Sequence, residues 1–472
     1  MFLKLDQKKS FATAAIDDSG SSISYGELCD FVEDFYLRVG KRTLIFNLSE
    51  NCIGSMAGYV ACLDKKVVPL LIKCDLDRSL LRFLIDLYRP EYIWMPKRYN
   101  QEFNYMQVYE QYGYVLCKTG LQTYELYHDL SLLLMTSGST GSPKLVRHSY
   151  SNIQANAQNV AAFFELDEID CGIALLPMQY TMGLSVVTSH LYAGATVLLT
   201  TLAMTEKKFW EFIKEHNATS FTGVPYNFEV LKKLRFFKMK LPYLKMITQG
   251  GGKLSEDLFR EYSEFAKRTG KKFIATYGQT EGTARMAYLP AELATIKIGS
   301  IGGAIPNGHL SLIDDDGLEI EEMEAVGEMV YRGPNVTLGY AQDGDDLVRG
   351  DERNGVLYTG DIARRDADGC YYIVGRLNRF LKLYGLRVSL DEIEHLVKKA
   401  FDIDCACMGN DEKMTIFITD QDKQEGVFKY IAEKTGIYTK AFEIRFINEI
   451  PQNDAGKTLY KKLETLYDQI LI

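Results

Sequence analysis

A run of small and hydroxyl-bearing residues directly follows an apolar segment and ends at a lysine. It reads TSGSTGSPK, from Thr136 to Lys144. Such a run cannot build a core or a stable helix, but its backbone N–H groups are uncovered and its hydroxyls can donate hydrogen bonds. With the positive charge of Lys144, these are the parts of a cradle for an anion.

Runs rich in glycine and serine more often form flexible linkers. The neighbouring sequence argues against a linker here. The segment LSLLLM (Leu130–Met135) predicts a buried strand, KLVRHS predicts a short second strand, and a helix is predicted to begin near Ser151–Asn152. A Walker loop is excluded, because Pro143 rather than glycine precedes Lys144.

Four further motifs place reactive groups after strand-like runs or in glycine turns. Taken singly, each has a plain structural reading as a turn, a cap, a packed ring or a salt bridge. The motifs are TYGQTEG (Thr276–Gly282), YTGD (Tyr358–Asp361), GRLNRFLKLYGLR (Gly375–Arg387) and PQNDAGKTLY (Pro451–Tyr460).

Composition narrows the class of protein. The chain has 472 residues, a net charge of −9 and nine scattered cysteines. The negative charge argues against nonspecific binding to nucleic acid or anionic membranes. An odd number of cysteines without framework spacing indicates reduced thiols, and no histidine spacing suggests a zinc site. Without a signal-like or membrane-length apolar run, we expect a cytoplasmic protein.

Strand-like and helix-like segments alternate from about Ser22 to Thr280, which predicts largely parallel sheets covered by helices. From about Gly299 short β-like runs alternate with Asp-Gly and Gly-Pro turns, as in a small barrel. A compact α+β unit follows. We therefore expect an N-terminal domain at 1–375, a hinge at 376–379 and a C-terminal domain at 380–472.

Together and in this order, the five motifs resemble those of the adenylate-forming superfamily, the AMP-dependent synthetases and ligases. That superfamily includes acyl- and aryl-CoA synthetases, luciferases and the adenylation domains of peptide synthetases. The resemblance extends from about Ser24 to Leu463. It implies a large domain of two parallel-sheet α/β subdomains plus a small β-barrel, followed by a small mobile α+β lid. It also implies an enzyme that joins a carboxylate to the α-phosphate of ATP, releases pyrophosphate, and transfers the acyl group to a thiol.

The resemblance assigns roles residue by residue. Lys457 would stabilise the charge that develops between carboxylate and phosphate, and Lys382 would approach the site for thioester formation. Thr140 and Glu281 would hold Mg²⁺, which prefers oxygen ligands. Asn378 falls at the hinge, where many relatives have Asp or Lys. The nucleotide would be held by Thr136, Ser137, Gly138, Ser139, Thr140, Gly141, Lys144, Gly250, Gly251, Gly252, Thr276, Tyr277, Gly278, Gln279, Thr280, Asp361, Ile373, Arg376 and Lys457.

The acid would lie against one wall formed by Leu175–Leu199. The residues that would contact it are Tyr180, Met182, Gly183, Val224, Gly250 and Gly251; Tyr180 stands where many relatives have histidine. No acidic residue lies between Pro177 and Ser189 to pair with an ammonium group, so we expect an acid without an α-amino group. The pocket segments, including Gly282–Tyr288, are expected to be apolar and glycine-rich, as suits an acyl or aryl acid.

Coenzyme A is the acceptor most often used in this superfamily. The resemblance is equally compatible with transfer to a phosphopantetheinylated carrier protein, because its arm would enter past the same Lys382, Tyr384 and Gly385 segment. It also leaves open amino-acid adenylation and a nucleotide-binding pseudoenzyme that keeps the fold without the chemistry. One further departure is Tyr460, where the superfamily often has arginine.

Overall fold

The computed structural model describes residues 2–135, 144–383, 386–410, 412–435, 437–453 and 458–470. These residues form two compact units. The described residues within Met1–Ser137, Ser142–Leu310 and Tyr331–Leu357 form the first, and those within Ser311–Val330 and Tyr358–Ile472 form the second. The hinge and the boundary expected at 375–380 stay predictions.

The strands of the described chain are, in order, β1 (Thr13–Asp17), β2 (Ser22–Ser24), β3 (Leu44–Ser49), β4 (Val68–Lys73), β5 (Tyr92–Pro96), β6 (Met106–Gln111), β7 (Tyr114–Lys118), β8 (Leu130–Met135), β9 (Leu145–Ser149), β10 (Cys171–Ala174), β11 (Thr196–Leu199), β12 (Ser220–Gly223), β13 (Met246–Gln249), β14 (Lys272–Tyr277), β15 (Ala287–Leu289), β16 (Gly303–Ala304), β17 (His309–Ile313), β18 (Ala325–Arg332), β19 (Gly339–Ala341), β20 (Val356–Arg365), β21 (Tyr371–Arg376), β22 (Phe380–Leu383), β23 (Leu386–Ser389), β24 (Cys405–Gly409), β25 (Met414–Ile418) and β26 (Phe442–Phe446). The α-helices are α1 (Tyr25–Val39), α2 (Ile53–Asp64), α3 (Arg78–Tyr88), α4 (Tyr150–Phe164), α5 (Thr181–Ala193), α6 (Lys207–Glu215), α7 (Pro225–Lys233), α8 (Glu256–Arg268), α9 (Leu390–Phe401), α10 (Gln424–Thr435) and α11 (Tyr460–Ile470).

The first unit contains two large sheets. One has nine strands in the order β16-β15-β14-β13-β12-β10-β11-β1-β2, and its strands from β14 to β1 pair in parallel. The other has eight strands in the order β19-β9-β8-β4-β3-β5-β7-β6, with a parallel centre of β8, β4, β3 and β5. This confirms the α/β class with two largely parallel sheets.

The second unit begins with a four-stranded sheet, in the order β17-β18-β20-β21. The sequence predicts a small barrel here, but the outer strands β17 and β21 do not pair with each other in the described part of the chain. An antiparallel pair, β22 and β23, and a three-stranded sheet, β24-β25-β26, follow with α9 and α10. This is the expected small α+β fold.

Hydroxyl caps set several helix starts near the site. Ser149 caps α4 by accepting from the Asn152 backbone, while the Asn152 side chain accepts from the Ser149 backbone. The helix therefore begins at Tyr150, directly after β9, and the predicted start at Ser151–Asn152 is wrong by one or two residues. Ser389 caps α9 in the same way that Ser24 caps α1.

Within the ranges that the structure describes, no helix is both long and apolar enough to cross a membrane.

Candidate active site

The sequence motif that suggests an anion site lies mostly outside the described residues. Thr136, Ser137, Gly138, Ser139, Thr140 and Gly141 are among the residues that are not described. The flanking strands β8 and β9 are described, and they pair antiparallel with Met135 opposite Leu145. The strand on each side of the motif is therefore present as predicted, whereas the phosphate contacts stay predictions.

Lys144, the last residue of this motif, lies near an aromatic ring of a neighbouring strand. Its Nζ is 5.6 Å from the centroid of the Tyr340 ring. The Arg353 guanidinium carbon is 4.7 Å from the same centroid. The aromatic face is negative, so it attracts both cations. Tyr340 thus holds two positive charges close to the motif.

Tyr340 also fixes the carboxylate of Glu281. Its hydroxyl donates to Glu281 Oε1 at 2.7 Å, and Oε2 of Glu281 has no hydrogen-bond partner among the described residues. Burial and the charge of Glu281 raise the pKa of Tyr340 to about 12, so the hydroxyl is protonated at neutral pH. One oxygen of Glu281 is therefore positioned while the other can accept a ligand.

The backbone of Glu281 is held as firmly as its side chain. Its carbonyl accepts from the Thr337 backbone N–H at 3.0 Å and from the Thr337 hydroxyl at 2.9 Å. Arg353 donates to the Thr337 hydroxyl as well. Glu281 lies in a single 3₁₀ turn, Thr280–Gly282, which these contacts connect to the segment before β19. The sequence predicted Glu281 but not the residues that position it.

Gly278 allows the TYGQTEG motif to turn tightly after β14. A Cβ at this position would lie 1.4 Å from the Ala284 carbonyl oxygen, so no other residue fits. Beside it, the Gln279 side chain donates to the Tyr277 hydroxyl at 3.1 Å, and Thr276 Oγ1 donates to the Gln249 carbonyl at 2.9 Å. Thr276, one of the predicted nucleotide residues of this motif, therefore lies next to the glycine loop, Gly250–Gly252.

The predicted acid-contacting residues converge after adjacent parallel strands. Val224 follows β12 and Gly250 follows β13, so both lie at the carboxyl edge of one sheet, where open α/β sheets bind ligands. A Cβ at Gly250 would lie 2.4 Å from Met182 Cε, and one at Gly251 would lie 3.1 Å from Val224 Cγ1. Gly251 adopts a φ of +75°, which favours glycine.

Two further residues border this convergence. Tyr180 is the residue before α5, and its backbone N–H donates to the Pro177 carbonyl. A Cβ at Gly183 would lie 2.4 Å from the Leu176 and Pro177 carbonyls, so α5 packs closely against the chain that precedes it. The structure thus brings Met182, Gly250, Gly251 and Val224 together, and it places Tyr180 and Gly183 at the start of the adjoining helix.

In the second unit, the predicted nucleotide residue Asp361 forms an ion pair with Arg376. Asp361 lies opposite Arg376 on the neighbouring strands β20 and β21. Arg376 Nε is 2.7 Å from Asp361 Oδ1, with the arginine side chain largely exposed and the carboxylate buried. Ile373, also on β21, lies opposite Ala363. Asp361 and Arg376 are therefore neighbours, as one shared ligand would require.

The remaining predicted residues follow in the second unit. Asn378 lies in a 3₁₀ turn, Leu377–Arg379, and Lys382 lies on β22 opposite Arg387. Tyr384, Gly385 and Lys457 are outside the described residues. The roles given to Asn378, Lys382 and Lys457 stay predictions.

Arg379 forms a buried cluster that the sequence reasoning missed. Its guanidinium contacts Asp391 Oδ1 at 2.8 Å and Glu394 Oε1 at 2.5 Å, and it lies 3.9 Å from the centroid of the Tyr460 ring. The Tyr460 hydroxyl donates to Glu394 at 3.0 Å. Tyr460, which departs from the superfamily pattern, therefore anchors the start of α11 to the residue next to Asn378.

Arg285 corrects the expectation that the pocket segments are apolar. It lies within Gly282–Tyr288, its side chain is fully buried, and Nη1 donates to Ser185 Oγ of α5 at 2.9 Å. A cation next to the predicted acid wall could have been suspected from the arginine in GTARMAY. Its burial could not, because it depends on the packing of α5 against the loop.

Within the described residues, no group of three or more His, Cys, Asp and Glu side chains could hold a metal ion. Glu281 offers a positioned carboxylate whose Oε2 accepts no hydrogen bond from the described residues. Such a single carboxylate suits Mg²⁺, which usually keeps several waters and binds phosphate oxygens of a substrate.

Comparisons with known proteins agree with this arrangement. The sequence is 29% identical over 352 residues to 2-succinylbenzoate–CoA ligase of Bacillus cereus (strain ZK / E33L), which covers 72% of this chain and 70% of that protein. It is 31% identical over 271 residues to oxalate–CoA ligase of Arabidopsis thaliana, which covers 56% of this chain and about half (52%) of that protein.

The fold is similar to that of o-succinylbenzoate CoA synthetase from Bacillus subtilis, solved in complex with the acyl-adenylate intermediate. The TM-score is 0.80 at 19% identity, over 98% of this chain and 97% of the other. The family model described as AMP-binding enzyme matches residues 6–341, which is well over half of the chain. The chain therefore belongs to the AMP-binding enzyme family.

Proposed function

We propose that this protein activates a carboxylic acid with ATP, forming an acyl-AMP and pyrophosphate, and then transfers the acyl group to the thiol of coenzyme A. The observation that carries the proposal is the convergence of Met182, Gly250, Gly251 and Val224 after β12 and β13, together with the positioned carboxylate of Glu281 in the turn after the adjacent strand β14. An acid and a nucleotide phosphate must meet at such a place. Membership of the AMP-binding family supports the same chemistry.

The reaction brings two anions together, so the chain must supply positive charge and exclude water. Lys144 and Arg353 lie against Tyr340, and the motif Thr136–Lys144 would hold the β- and γ-phosphates through its N–H groups and hydroxyls. Lys457 would reach the carboxylate and the α-phosphate, where preorganised charge is worth about 3–4 kcal/mol. Mg²⁺, when bound, would neutralise phosphate charge, and Glu281 with Thr140 would hold it.

Three side chains are suited to recognising the nucleoside. Tyr277 offers an aromatic face for adenine at the end of β14. Asp361, held by Arg376, has two acceptor oxygens for the two ribose hydroxyls. Because Arg376 is largely exposed, it can pair with Asp361 and still contact the ribose or a phosphate.

Two features support coenzyme A as acceptor and an acid without an α-amino group. Relatives of this chain are named CoA ligases. Between Pro177 and Ser189 there is no carboxylate to pair with an ammonium group, and the charged side chain buried against this segment, Arg285, is positive. An α-ammonium group would be repelled there.

The cysteines support a cytoplasmic location. All nine lie within the described residues and are free thiols, a state that persists where glutathione and thioredoxin keep thiols reduced.

The test is ATP–pyrophosphate exchange with fatty, aryl, dicarboxylic and amino acids, followed by detection of thioesters with coenzyme A and with a phosphopantetheinylated carrier protein. We expect exchange with an acid that lacks an α-amino group, and a CoA thioester. Glu281→Gln is the matched variant, because it keeps size and removes charge; exchange should fall by roughly 10²–10³. Exchange with amino acids alone, thioester formation on the carrier alone, or no exchange with any acid would each contradict the proposal.

A further inference from the structure

Arg285 is a buried cation that the described chain does not neutralise. Its side chain is fully buried. The two residues before it, Thr283 and Ala284, have left-handed backbone conformations. Its own carbonyl accepts from Asn156 and Asn335 side chains at 3.1 and 3.3 Å. The backbone is thus fixed, so the guanidinium cannot swing out to solvent without breaking these contacts.

The partners of the guanidinium are neutral: two hydroxyls and the ring of Phe164, whose centroid lies 4.7 Å from Cζ. Nη1 donates to Ser185 Oγ at 2.9 Å, and Nη2 lies 3.5 Å from Thr222 Oγ1. The Nε–H has no acceptor, and no carboxylate forms an ion pair with Arg285 among the described residues. An arginine has five N–H donors, so most of them lack a partner here.

Arg147 shows what a fully satisfied buried arginine looks like in the same unit. Its Nη2 is 2.5 Å from the Glu352 carboxylate, its Nε donates to the Tyr340 carbonyl at 2.9 Å, and further carbonyls accept from Nη1. Both side chains are fully buried. The difference between them is therefore the missing anion at Arg285 and not the depth of burial.

An unpaired buried charge is costly, by several kcal/mol for an ion of this size. Burial lowers the pKa of Arg285 to about 9, so the group still carries its charge at neutral pH. Binding of an anion next to the guanidinium offsets this free-energy cost. The anion must come from outside the described chain.

Both hydroxyl partners of Arg285 belong to the segments that would contact the acid. Ser185 Oγ donates to the Met182 carbonyl at 2.8 Å. Thr222 Oγ1 lies 2.8 Å from Thr248 Oγ1, on the strand that leads to Gly250. The guanidinium is therefore joined by two hydrogen-bond chains to Met182 and to Thr248, which lies two residues before Gly250.

A small, mostly apolar cavity adjoins the same serine. It has a volume of ≈ 10 Å³, and its polar lining residues are Asn156, His148, Thr181, Ser185, Thr188 and Thr283. That volume holds about one oxygen-sized group. Both ring nitrogens of His148 are buried without a hydrogen-bond partner. Arg285 and His148, which both have side-chain nitrogens without a hydrogen-bond partner, thus both lie near Ser185.

We propose that the acid carries a second carboxylate, remote from the one that is activated, and that Arg285 binds this group. The inference rests on the proposed function and specifies its substrate class as dicarboxylic. The second carboxylate supplies the missing anion. Its oxygens accept hydrogen bonds from the guanidinium and from polar side chains that line the neighbouring cavity. Met182, an unbranched side chain between the glycine loop and Ser185, moves to admit it.

The test compares matched acids that differ only in the second carboxylate, such as heptanedioic and heptanoic acid, and benzenedicarboxylic and methylbenzoic acids. ATP–pyrophosphate exchange gives kcat/KM for each. We expect the wild-type protein to favour the dicarboxylic member of at least one pair by about 100-fold or more, since an acid lacking the group leaves the buried cation unpaired. Arg285→Met should reduce that ratio by a similar factor.

A second measurement does not depend on turnover. With AMP present throughout, adding the preferred dicarboxylic acid should raise the melting temperature of the wild-type protein and of Arg285→Lys but not of Arg285→Met. If Arg285→Met does not fold, Arg285→Gln takes its place in both measurements. Equal use of mono- and dicarboxylic acids by the wild type, or an unchanged ratio in the folded variant, would overturn the dicarboxylate proposal while leaving acid activation intact. No exchange with any acid would instead refute the proposed function, and with it this inference.

Discussion

Tyr340 illustrates how a single hydroxyl can position the carboxylate of Glu281, the proposed Mg²⁺ ligand. Its hydroxyl donates to Glu281 Oε1 at 2.7 Å. Tyr340→Phe keeps the ring that attracts Lys144 and Arg353 but releases the carboxylate. Partners that orient a metal ligand typically contribute 10–100-fold to metal affinity. We expect the Mg²⁺ concentration for half-maximal pyrophosphate exchange to rise by about that factor.

The matched control for this change is Tyr25→Phe. The Tyr25 hydroxyl is buried and donates to the Ala195 carbonyl at 2.7 Å, and Tyr25 lies far along the chain from Glu281. It should leave the Mg²⁺ requirement unchanged. If Tyr340→Phe did the same, Tyr340 would have no positioning role.

His148 makes stability depend on pH. Burial lowers its pKa to about 4 from 6.5, so between these values the unfolded chain binds a proton that the folded protein does not. The contribution is fully present above pH 6.5 and is lost as the pH falls toward 4, by about 1.4 kcal/mol per pH unit. In His148→Leu, the unfolding free energy should therefore fall less steeply as the pH is lowered, by this amount per pH unit.

Urea unfolding at about pH 7, 6 and 5 measures this effect. The exposed His309 provides the control, because His309→Leu should not alter the slope. Parallel pH profiles for wild type and His148→Leu would show that the imidazole is not kept neutral by burial.

Sequence predicts residues of this site where the chemistry is local, and fails where it depends on tertiary contacts. Glu281 and Gly278 are recognisable in TYGQTEG, because the turn and the carboxylate are adjacent in the chain. Arg285 and His148 are ordinary polar residues until α5 packs over them. That Arg285 Nε and both ring nitrogens of His148 are buried without a hydrogen-bond partner is a property of the folded protein.

At the scale of elements, the turn after β14 depends on Gly278. A Cβ there would lie 1.4 Å from the Ala284 carbonyl oxygen, and backbone atoms cannot yield as a flexible side chain can. Gly278→Ala should lower the unfolding free energy by about 2–4 kcal/mol and, by displacing Glu281, reduce pyrophosphate exchange. Chemical denaturation measures the first effect.

Gly303 on β16 is the matched glycine, because a Cβ there would meet nothing within 4 Å. Gly303→Ala should change stability by no more than about 0.5 kcal/mol. Equal effects of the two substitutions would mean that the turn tolerates a side chain, contrary to the close approach described above.

Individual elements were easier to predict than their pairing. The run LSLLLM forms β8, Leu130–Met135, as expected, and KLVRHS forms β9, Leu145–Ser149. The short β19, which carries Tyr340, joins the sheet beside β9 from nearly two hundred residues further along the chain. Periodicity says nothing about such a partner, so the residues that hold Glu281 could not be found from sequence.

At the scale of the whole molecule, the proposed function requires the C-terminal Lys457 to act on the acid and the nucleotide. Tyr460, three residues after Lys457, contacts Glu394 and Arg379, and Arg379 follows the predicted hinge residue Asn378. The cluster ties the start of α11 to the chain beside the hinge. We expect this tie to make the lysine-bearing segment follow any movement at the hinge.

The most direct measurement separates the two half-reactions in Lys457→Ala. Acyl-AMP formation is followed by pyrophosphate exchange, and thioester formation is followed with acyl-AMP supplied directly. Exchange should fall by at least roughly 10²–10³, because the charge that couples two anions is gone, while supplied acyl-AMP should still yield the CoA thioester at close to the wild-type rate. Full exchange activity in the variant, or an equal loss of both half-reactions, would contradict the account.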